Sequence, residues 1–292
     1  MRPGVRLAVL VACVALATSR LGLVAHELVG HGGMALAVGA HILEVRLFWF
    51  AGGWIRYVGA PGLPAALAIA MAGIAVELVV GTTLWLAVRG DGLGRRIVRG
   101  IAAGLVVHAS WYLATGAFSG FGDGVLLYRV LGAWRIPVAV GAGLVTCAAG
   151  YLGAREVLGA LAATLPRRRV IGTIGALAAA GALHAGLAVG ELKLRADRTY
   201  AQTMAPERER VVTQWIDAHP DAPAPVREAA VKQLVAEHPT FPLPWVLAIA
   251  TAASVIVGAR RARSGEANPV PRRLLVQWAV AAALAIALVI AV

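Results

Sequence analysis

The feature that most restricts the possible folds of this chain is its series of long apolar runs. About 20 apolar residues cross a bilayer as a helix. Hydrophobic residues make up 59% and charged residues 14% of the 292-residue chain, and the mean hydropathy is +0.76. Soluble domains contain about 25% charged residues. The sequence therefore predicts an all-α polytopic membrane protein with about seven transmembrane helices in the lipid bilayer. The apolar runs occupy residues 5–38, 63–88, 96–118, 136–165, 170–192, 244–257 and 274–292.

The arginines are concentrated in short loops between these runs and give the chain a formal net charge of +12. Because membrane proteins keep an excess of Lys and Arg in their cytoplasmic loops, this distribution predicts a cytoplasmic N-terminus and an extracytoplasmic polar segment at 193–241. The basic residues are not interleaved with exposed aromatic residues, so the charge does not indicate a nucleic-acid partner. We predict a multi-pass protein of a prokaryotic plasma membrane.

A polar hexapeptide, His26-Glu27-Leu28-Val29-Gly30-His31, interrupts the first apolar run. Ionisable residues are costly within a membrane and are commonly functional there. In H-E-x-x-H hydrolases, two histidines one helical turn apart bind zinc, and the adjacent glutamate is the general base for the attacking water. His26 and His31 therefore predict a metal site with Glu27 as its base. The alternative is that these polar groups are satisfied by neighbouring helices.

The two histidines are five residues apart, one more than in H-E-x-x-H. On a regular α-helix, at about 100° per residue, His26 and His31 would lie ~140° apart and could not bind one ion. A π-bulge absorbs one extra residue and occurs often at functional sites. Gly30 and the Gly32-Gly33 pair make such a distortion inexpensive. We therefore predict a π-bulge within the first helix.

A glycine pair marks the segment after the first helix. Gly52 and Gly53 lie between two stretches rich in Val, Ile and aromatic residues, at 43–50 and 54–58. This pattern predicts a short β-hairpin. An edge of the hairpin could hold a peptide in an extended conformation by strand addition, so Gly52 and Gly53 are candidates for contact with substrate or for support of the metal ligands.

Three further ionisable residues stand in or beside apolar runs. Glu77 is an isolated acid, for which we predict binding of substrate, support of metal ligands, or a hydrogen bond to a neighbouring helix. His108 is interpreted as a group behind the metal ligands or as an interhelical hydrogen-bonding residue. Asp123 lies between Gly122 and Gly124 after the third run. It is interpreted either as a turn residue or as a residue whose side chain reaches into a cavity as a ligand.

The order of these landmarks resembles the intramembrane site-2 protease family of zinc metallopeptidases over about residues 5–135. In that family, the first core helix carries H-E-x-x-H, the second an A-G-P-x-x-N-like segment, and the third an aspartate-glycine pair. The corresponding segments here are residues 26–31, the sequence Met-Ala-Gly-Ile-Ala-Val-Glu at 71–77, and Gly-Asp-Gly-Val-Leu-Leu at 122–127.

The resemblance implies a zinc cofactor held by His26, His31 and Asp123. It also implies that Glu27 is the catalytic base and that the substrate is a transmembrane protein, cleaved in or near its membrane segment. The chain departs from the family in the extra residue of the first motif, in Ile74 for proline and Glu77 for asparagine, and in Gly122 for the leucine of L-D-G. The arginine distribution also places the site toward the outer side, whereas the family site lies nearer the cytoplasm.

Two other functions fit the same residues. A non-catalytic membrane relative that keeps the fold for binding or regulation explains the departures from the motifs and predicts that Glu27 is dispensable. A transporter would use Glu77, His108 and Asp123 as an ion or proton path. The chain shows no internal repeat of its apolar runs, and a transporter has no special need for adjacent His and Glu.

Composition and the resemblance together divide the chain into four parts. Residues 1–135 form the membrane core that resembles site-2 proteases, and 136–192 add two transmembrane helices. Residues 193–241 are a polar extramembrane segment with predicted helices at 205–219 and 225–238. Residues 242–292 hold the last two transmembrane helices.

Overall fold

The structure of the protein is a computed structural model that describes residues 2–60, 62–120, 122–165, 169–198, 212–213, 215–217, 219–235, 241–262 and 269–292. The first long helix comprises α1 (Pro3–Val24), a π-helix (Ala25–Gly32) and α2 (Gly33–Ala37), and two strands follow, β1 (His41–Leu47) and β2 (Gly53–Val58). The later helices are α3 (Gly62–Ala87), α4 (Leu93–Ser119), α5 (Val125–Leu131), α6 (Arg135–Ala163), α7 (Arg169–Arg195), α8 (Ala224–Val235), α9 (Leu243–Arg260) and α10 (Arg272–Ala291).

Seven helical segments among the described residues are long and apolar enough to cross a membrane. The predicted fold class, a multi-pass helical membrane protein with a β-hairpin after the first helix, is therefore confirmed. In the polar segment, α8 coincides with most of the predicted helix at 225–238. Residues 205–211, which form much of the other predicted helix, lie outside the described residues. The seven segments are Pro3–Ala37, Gly62–Ala87, Leu93–Ser119, Gly122–Ala163, Ile171–Arg195, Leu243–Arg260 and Arg272–Ala291.

The membrane helices pack in two groups. α1 packs against α7 and α10, whereas α4 packs against α3 and α6, and α9 packs against α6. Small residues allow these close contacts, as is usual where helices associate in lipid. A Cβ added to Gly81 of α3, for example, would lie only 2.8 Å from the Ala102 carbonyl oxygen of α4. The π-helix packs against α3, which joins the first helix to the second group.

One end of the molecule is rich in arginine. Leu7 near the start of α1, Ile97 near the start of α4 and Leu161 near the end of α6 belong to one buried cluster, so these helix ends lie together. Val270, just before α10, belongs to the same cluster. Many of the arginines that predicted the cytoplasmic side belong to these helix ends, among them Arg6, Arg95, Arg96, Arg272 and Arg273.

The β-hairpin is antiparallel, with Ile42 opposite Tyr57 and Leu47 opposite Gly53. The predicted hairpin is confirmed, but the first strand ends at Leu47 rather than at residue 50. Residues 48–52 instead form a turn, which closes with a hydrogen bond of 3.0 Å from the Phe48 N–H to the Gly52 carbonyl.

Two charged side chains from distant helices hold this turn. Arg20 of α1, which is 3% exposed, donates hydrogen bonds to the carbonyls of Phe48 (2.7 Å) and Ala51 (2.6 Å). Glu191 of α7 accepts hydrogen bonds from three consecutive backbone N–H groups of the turn, those of Trp49, Phe50 and Ala51, at 2.6, 2.6 and 3.2 Å. The turn therefore links α1 to the C-terminal end of α7.

Candidate metal centre

The π-helix brings His26 and His31 onto one face. Its i→i+5 hydrogen bonding rotates each residue by less than the ~100° of an α-helix, so side chains five residues apart point the same way. The two imidazole ring centroids are 4.8 Å apart, and both rings are buried. The predicted π-bulge is therefore confirmed as an eight-residue π-helix, Ala25–Gly32.

One stripe of α3 faces the two histidines. His31 Nδ1 hydrogen bonds the Ile69 carbonyl at 2.7 Å, and His26 Nδ1 hydrogen bonds Glu77 Oε1 at 3.2 Å. Gly73 lies between them on the same helix face, because residues four apart align on an α-helix. When each Nδ1 carries its proton to these acceptors, each Nε2 presents a lone pair. That is the tautomer that binds a metal through Nε2.

Asp123 reaches the same point from the segment after α4. α4 ends at Gly120 in the left-handed conformation (φ +66°), and Gly122 also has a positive φ of +54°. The chain then packs so tightly that a Cβ on Gly124 would overlap the backbone of Gly116. This tight turn places Asp123 Oδ2 at 3.0 Å from His26 Nε2 and 3.1 Å from His31 Nε2.

The three predicted ligands thus form one group that could hold a metal ion. A nitrogen of each histidine and a carboxylate oxygen of Asp123 all lie within 4.8 Å of one another. The N···O separations are close to the ~3.3 Å expected between two ligands of a tetrahedral ion with bonds of ~2.0–2.1 Å. Acceptor atoms that face one another in this way repel unless a cation lies among them, either a metal ion or protons on the imidazoles.

Glu27 lies beside this group, close enough for its carboxylate to interact electrostatically with His26, His31 and Asp123. The residue is 8% exposed. A carboxylate is a common general base in hydrolysis. The position of Glu27 therefore suits it to accept a proton from a water or ligand at the group.

Glu77 and His108 extend the polar network behind the ligands. The Glu77 carboxylate uses its second oxygen, Oε2, to bind His108 Nδ1 at 2.7 Å. Glu77 is 4% exposed, whereas the His108 side chain is 61% exposed and stacks on Tyr112 with ring centroids 5.9 Å apart. Of the roles predicted for the two residues, the geometry shows the interhelical hydrogen bonds, which join Glu77 of α3 to His26 of the π-helix and to His108 of α4.

An apolar cavity of about 330 Å³ lies next to this network, between α1, α3, α4 and α10. Its wall includes the apolar side chains of Leu21, Val80 and Trp278, and Glu77 contributes a carboxylate. An apolar ligand in the cavity would lie close to the side chain that orients His26.

The hairpin contributes to the surroundings of the group rather than to the ligands. We predicted from the sequence that Gly52 and Gly53 contact substrate. In the structure they lie at the turn held by Arg20 and Glu191. A Cβ on Gly53 would lie 2.7 Å from the Arg46 carbonyl oxygen, so this glycine allows the two strands to approach. Tyr57 of β2 is near the site: burial raises the pKa of its hydroxyl, and the negative charge of Asp123 raises it further.

Gly73 faces both histidines, and sequence reasoning did not single it out. A Cβ at Gly73 would lie 2.6 Å from His26 Nε2 and 2.7 Å from His31 Nε2. A Cβ at Gly30 would lie 2.6 Å from the Gly73 Cα, so the two glycines let the π-helix and α3 touch. The sequence did contain an indication that Gly73 faces the site. Gly73 lies one helical turn before the isolated Glu77 and therefore on the same face of the helix.

We expect the Gly73→Ala variant to lose most of its metal affinity, by about 10–100-fold or more. The added methyl would occupy the space between the two Nε2 atoms, and the buried rings cannot move aside without breaking their Nδ1 hydrogen bonds. Titration of the purified protein with a divalent metal against a competing chelator measures the effect. Gly104→Ala on α4 is the matched control, since its added Cβ meets nothing within 4 Å. Equal affinity in Gly73→Ala and Gly104→Ala would contradict the placement of the metal.

Comparison of the chain with protein-family models, with curated proteins and with solved structures finds no match.

Proposed function

We propose that the protein is a divergent intramembrane zinc metalloprotease of the site-2 protease type, which hydrolyses a peptide bond in or near a membrane segment of another protein. The observation that carries the proposal is the convergence of His26 Nε2, His31 Nε2 and Asp123 Oδ2 beside the carboxylate of Glu27, among helices long and apolar enough to span a membrane.

The donor set suits a catalytic zinc ion. Catalytic zinc sites have three protein ligands from histidine and carboxylate side chains and leave a fourth position open. Two histidines and one carboxylate also suit iron(II) in oxygenases. The adjacent Glu27 favours a hydrolase over an oxygenase, because a metallohydrolase requires a general base from the protein. Zinc, when bound, would polarise the scissile carbonyl and acidify the attacking water.

The chain's own residues then perform the proton transfers. Glu27 takes a proton from the water as the water oxygen bonds to the carbonyl carbon. Glu27 next donates this proton to the amide nitrogen as the C–N bond breaks, so the products are a carboxylic acid and an amine. Glu77 and the Ile69 carbonyl hold His26 and His31 in position throughout. Such support of ligand histidines commonly affects metal affinity and activity by about 10–100-fold.

The surroundings support a membrane-embedded substrate. The cavity beside Glu77 is lined mainly by apolar side chains of α1, α3, α4 and α10, which is suited to apolar residues of a membrane segment. A helical substrate must unwind locally to expose its amide. In the described part of the chain, the sheet has two strands, and an extended peptide could pair with an outer strand edge.

Metal analysis combined with a cleavage assay tests the proposal. The protein is purified in detergent under metal-replete conditions, its metals are identified by elemental mass spectrometry, and it is reconstituted in vesicles with single-span polypeptides. We expect about one zinc per chain and cleavage that ortho-phenanthroline removes and added zinc restores. The non-chelating meta isomer is the control and should have no effect. Binding of iron in preference to zinc, or no bound metal, would contradict the proposal.

A further inference from the structure

A groove of about 380 Å³ lies between α6 and α9, away from the metal centre. Cys147, Ala148 and Tyr151 of α6 form one wall, and Ala253, Ser254 and Val257 of α9 form the other. We propose that this groove binds an anionic phospholipid, with its phosphate at the arginine-rich end and an acyl chain between the two helices.

The mouth of the groove carries positive charge. Arg155 is one helical turn beyond Tyr151 on α6, and Arg261 is three residues after Gly258, whose backbone packs on Tyr151, so both cations lie close to the Tyr151 side chain. A phenol is neutral, and within the described residues no carboxylate pairs with either arginine. Glu156, the acid next to Arg155, is bound to Arg99 at 2.9 Å. A phosphate group would supply both the missing charge and acceptor oxygens for the two guanidiniums.

The depth of these groups matches the headgroup region. α9 has 18 residues and is therefore ~27 Å long, close to the ~30 Å thickness of the hydrocarbon core. Arg261 follows its last residue, and Arg155 is one helical turn beyond Tyr151 on α6. If α9 spans the bilayer, both cations reach the level of lipid phosphates, and the apolar walls extend from there toward the membrane centre.

Close helix packing preforms the site. A Cβ on Gly258 of α9 would overlap the Tyr151 carbonyl oxygen, so only glycine allows this contact. The contact fixes the position of Arg261, three residues later, relative to Tyr151. The arginine distribution predicts that this end is cytoplasmic, where anionic lipids attract basic residues. The charge and the apolar walls together favour a lipid over a soluble phosphate, which would need only the arginines.

Native mass spectrometry tests for the lipid. The full chain in detergent is titrated with phosphatidylglycerol, with phosphatidylcholine carrying the same acyl chains, or with inorganic phosphate. We expect retention of phosphatidylglycerol in preference to the other two. In Arg155→Gln/Arg261→Gln this retention should weaken about 30-fold. The matched control, Arg272→Gln/Arg273→Gln, removes two exposed arginines at the same end and should retain the lipid. Equal loss in both double variants, or no preference for phosphatidylglycerol, would overturn the proposal.

Cys147 reports directly on the groove, because it lines one wall. The only other cysteine of the chain, Cys13, is replaced by serine, and Cys147 is alkylated with a small maleimide. Phosphatidylglycerol should slow this alkylation several-fold in the Cys13→Ser background but not when Arg155 and Arg261 are also replaced. Equal protection by phosphatidylcholine would show nonspecific coverage and reject the site. This result does not depend on the metal centre, so it stands or falls separately from protease activity.

Discussion

Replacing His26, His31 or Asp123 with alanine is expected to empty the metal centre in each case. Two of the three ligand atoms would remain, and the affinity should fall by more than the ~10–100-fold that follows loss of a supporting hydrogen bond. Metal content per chain, measured after dialysis against a weak chelator, checks this. The largest effect is expected for Asp123→Ala, because its Oδ2 contacts both histidines, at 3.0 and 3.1 Å.

The control for this series is His41→Ala. His41 is an exposed histidine at the start of β1, outside the metal-binding group. The variant should keep its metal, and circular dichroism should show parent-like helix content in all four proteins. Parent-like metal content in any one of the three ligand variants would show that the altered residue is not a ligand.

Glu27→Gln is expected to separate metal binding from catalysis. Glutamine has nearly the same shape but cannot take up and return a proton, so cleavage should fall by about 10²–10⁴-fold while metal content stays at the parent level. Cleavage of a reconstituted single-span polypeptide and elemental analysis of the same sample measure both quantities. Glu44→Gln is the control, because Glu44 pairs with Arg56 across the hairpin at 3.0 Å and is not part of the site.

Two outcomes of the Glu27 experiment would change the interpretation. Parent-like cleavage by Glu27→Gln would exclude Glu27 as the general base. Stoichiometric metal with no cleavage by the parent or by Glu27→Gln would favour the non-catalytic alternative, in which the fold serves binding or regulation.

Much of the site follows from local sequence. His26 and His31 are five residues apart, and at this spacing they can bind the same ion only if the helix is a π-helix. Gly30 tolerates such a distortion, so the π-helix could be predicted from the hexapeptide. Asp123 was predicted as a ligand only from the resemblance of the order of landmarks to the site-2 protease family. Periodicity and spacing alone do not show that a residue 92 positions after His31 returns to within 3.1 Å of it.

The parts that sequence reasoning did not find depend on contacts between distant helices. Gly73 matters because α3 crosses the π-helix there, and no local pattern reveals a crossing point. The first strand ends early because Arg20 and Glu191 bind the backbone of the turn. Both are charged residues within apolar runs, which is the same signal that drew attention to Glu77. Applying that signal to every run would have marked Arg20 and Glu191 as residues in need of a polar partner, although not which partner.

The attachment of the hairpin turn to Glu191 has a consequence for how the chain assembles. The Glu191 side chain accepts a hydrogen bond from the Trp49 N–H, and the two residues are 142 positions apart in the chain. At about 5–20 residues per second, a ribosome reaches Glu191 roughly 7–28 s after Trp49. The turn therefore lacks its carboxylate acceptor until the fifth membrane helix has been synthesised. The segment that carries the hexapeptide and hairpin is synthesised early, yet three backbone N–H groups of its turn gain their acceptor only when a much later helix arrives.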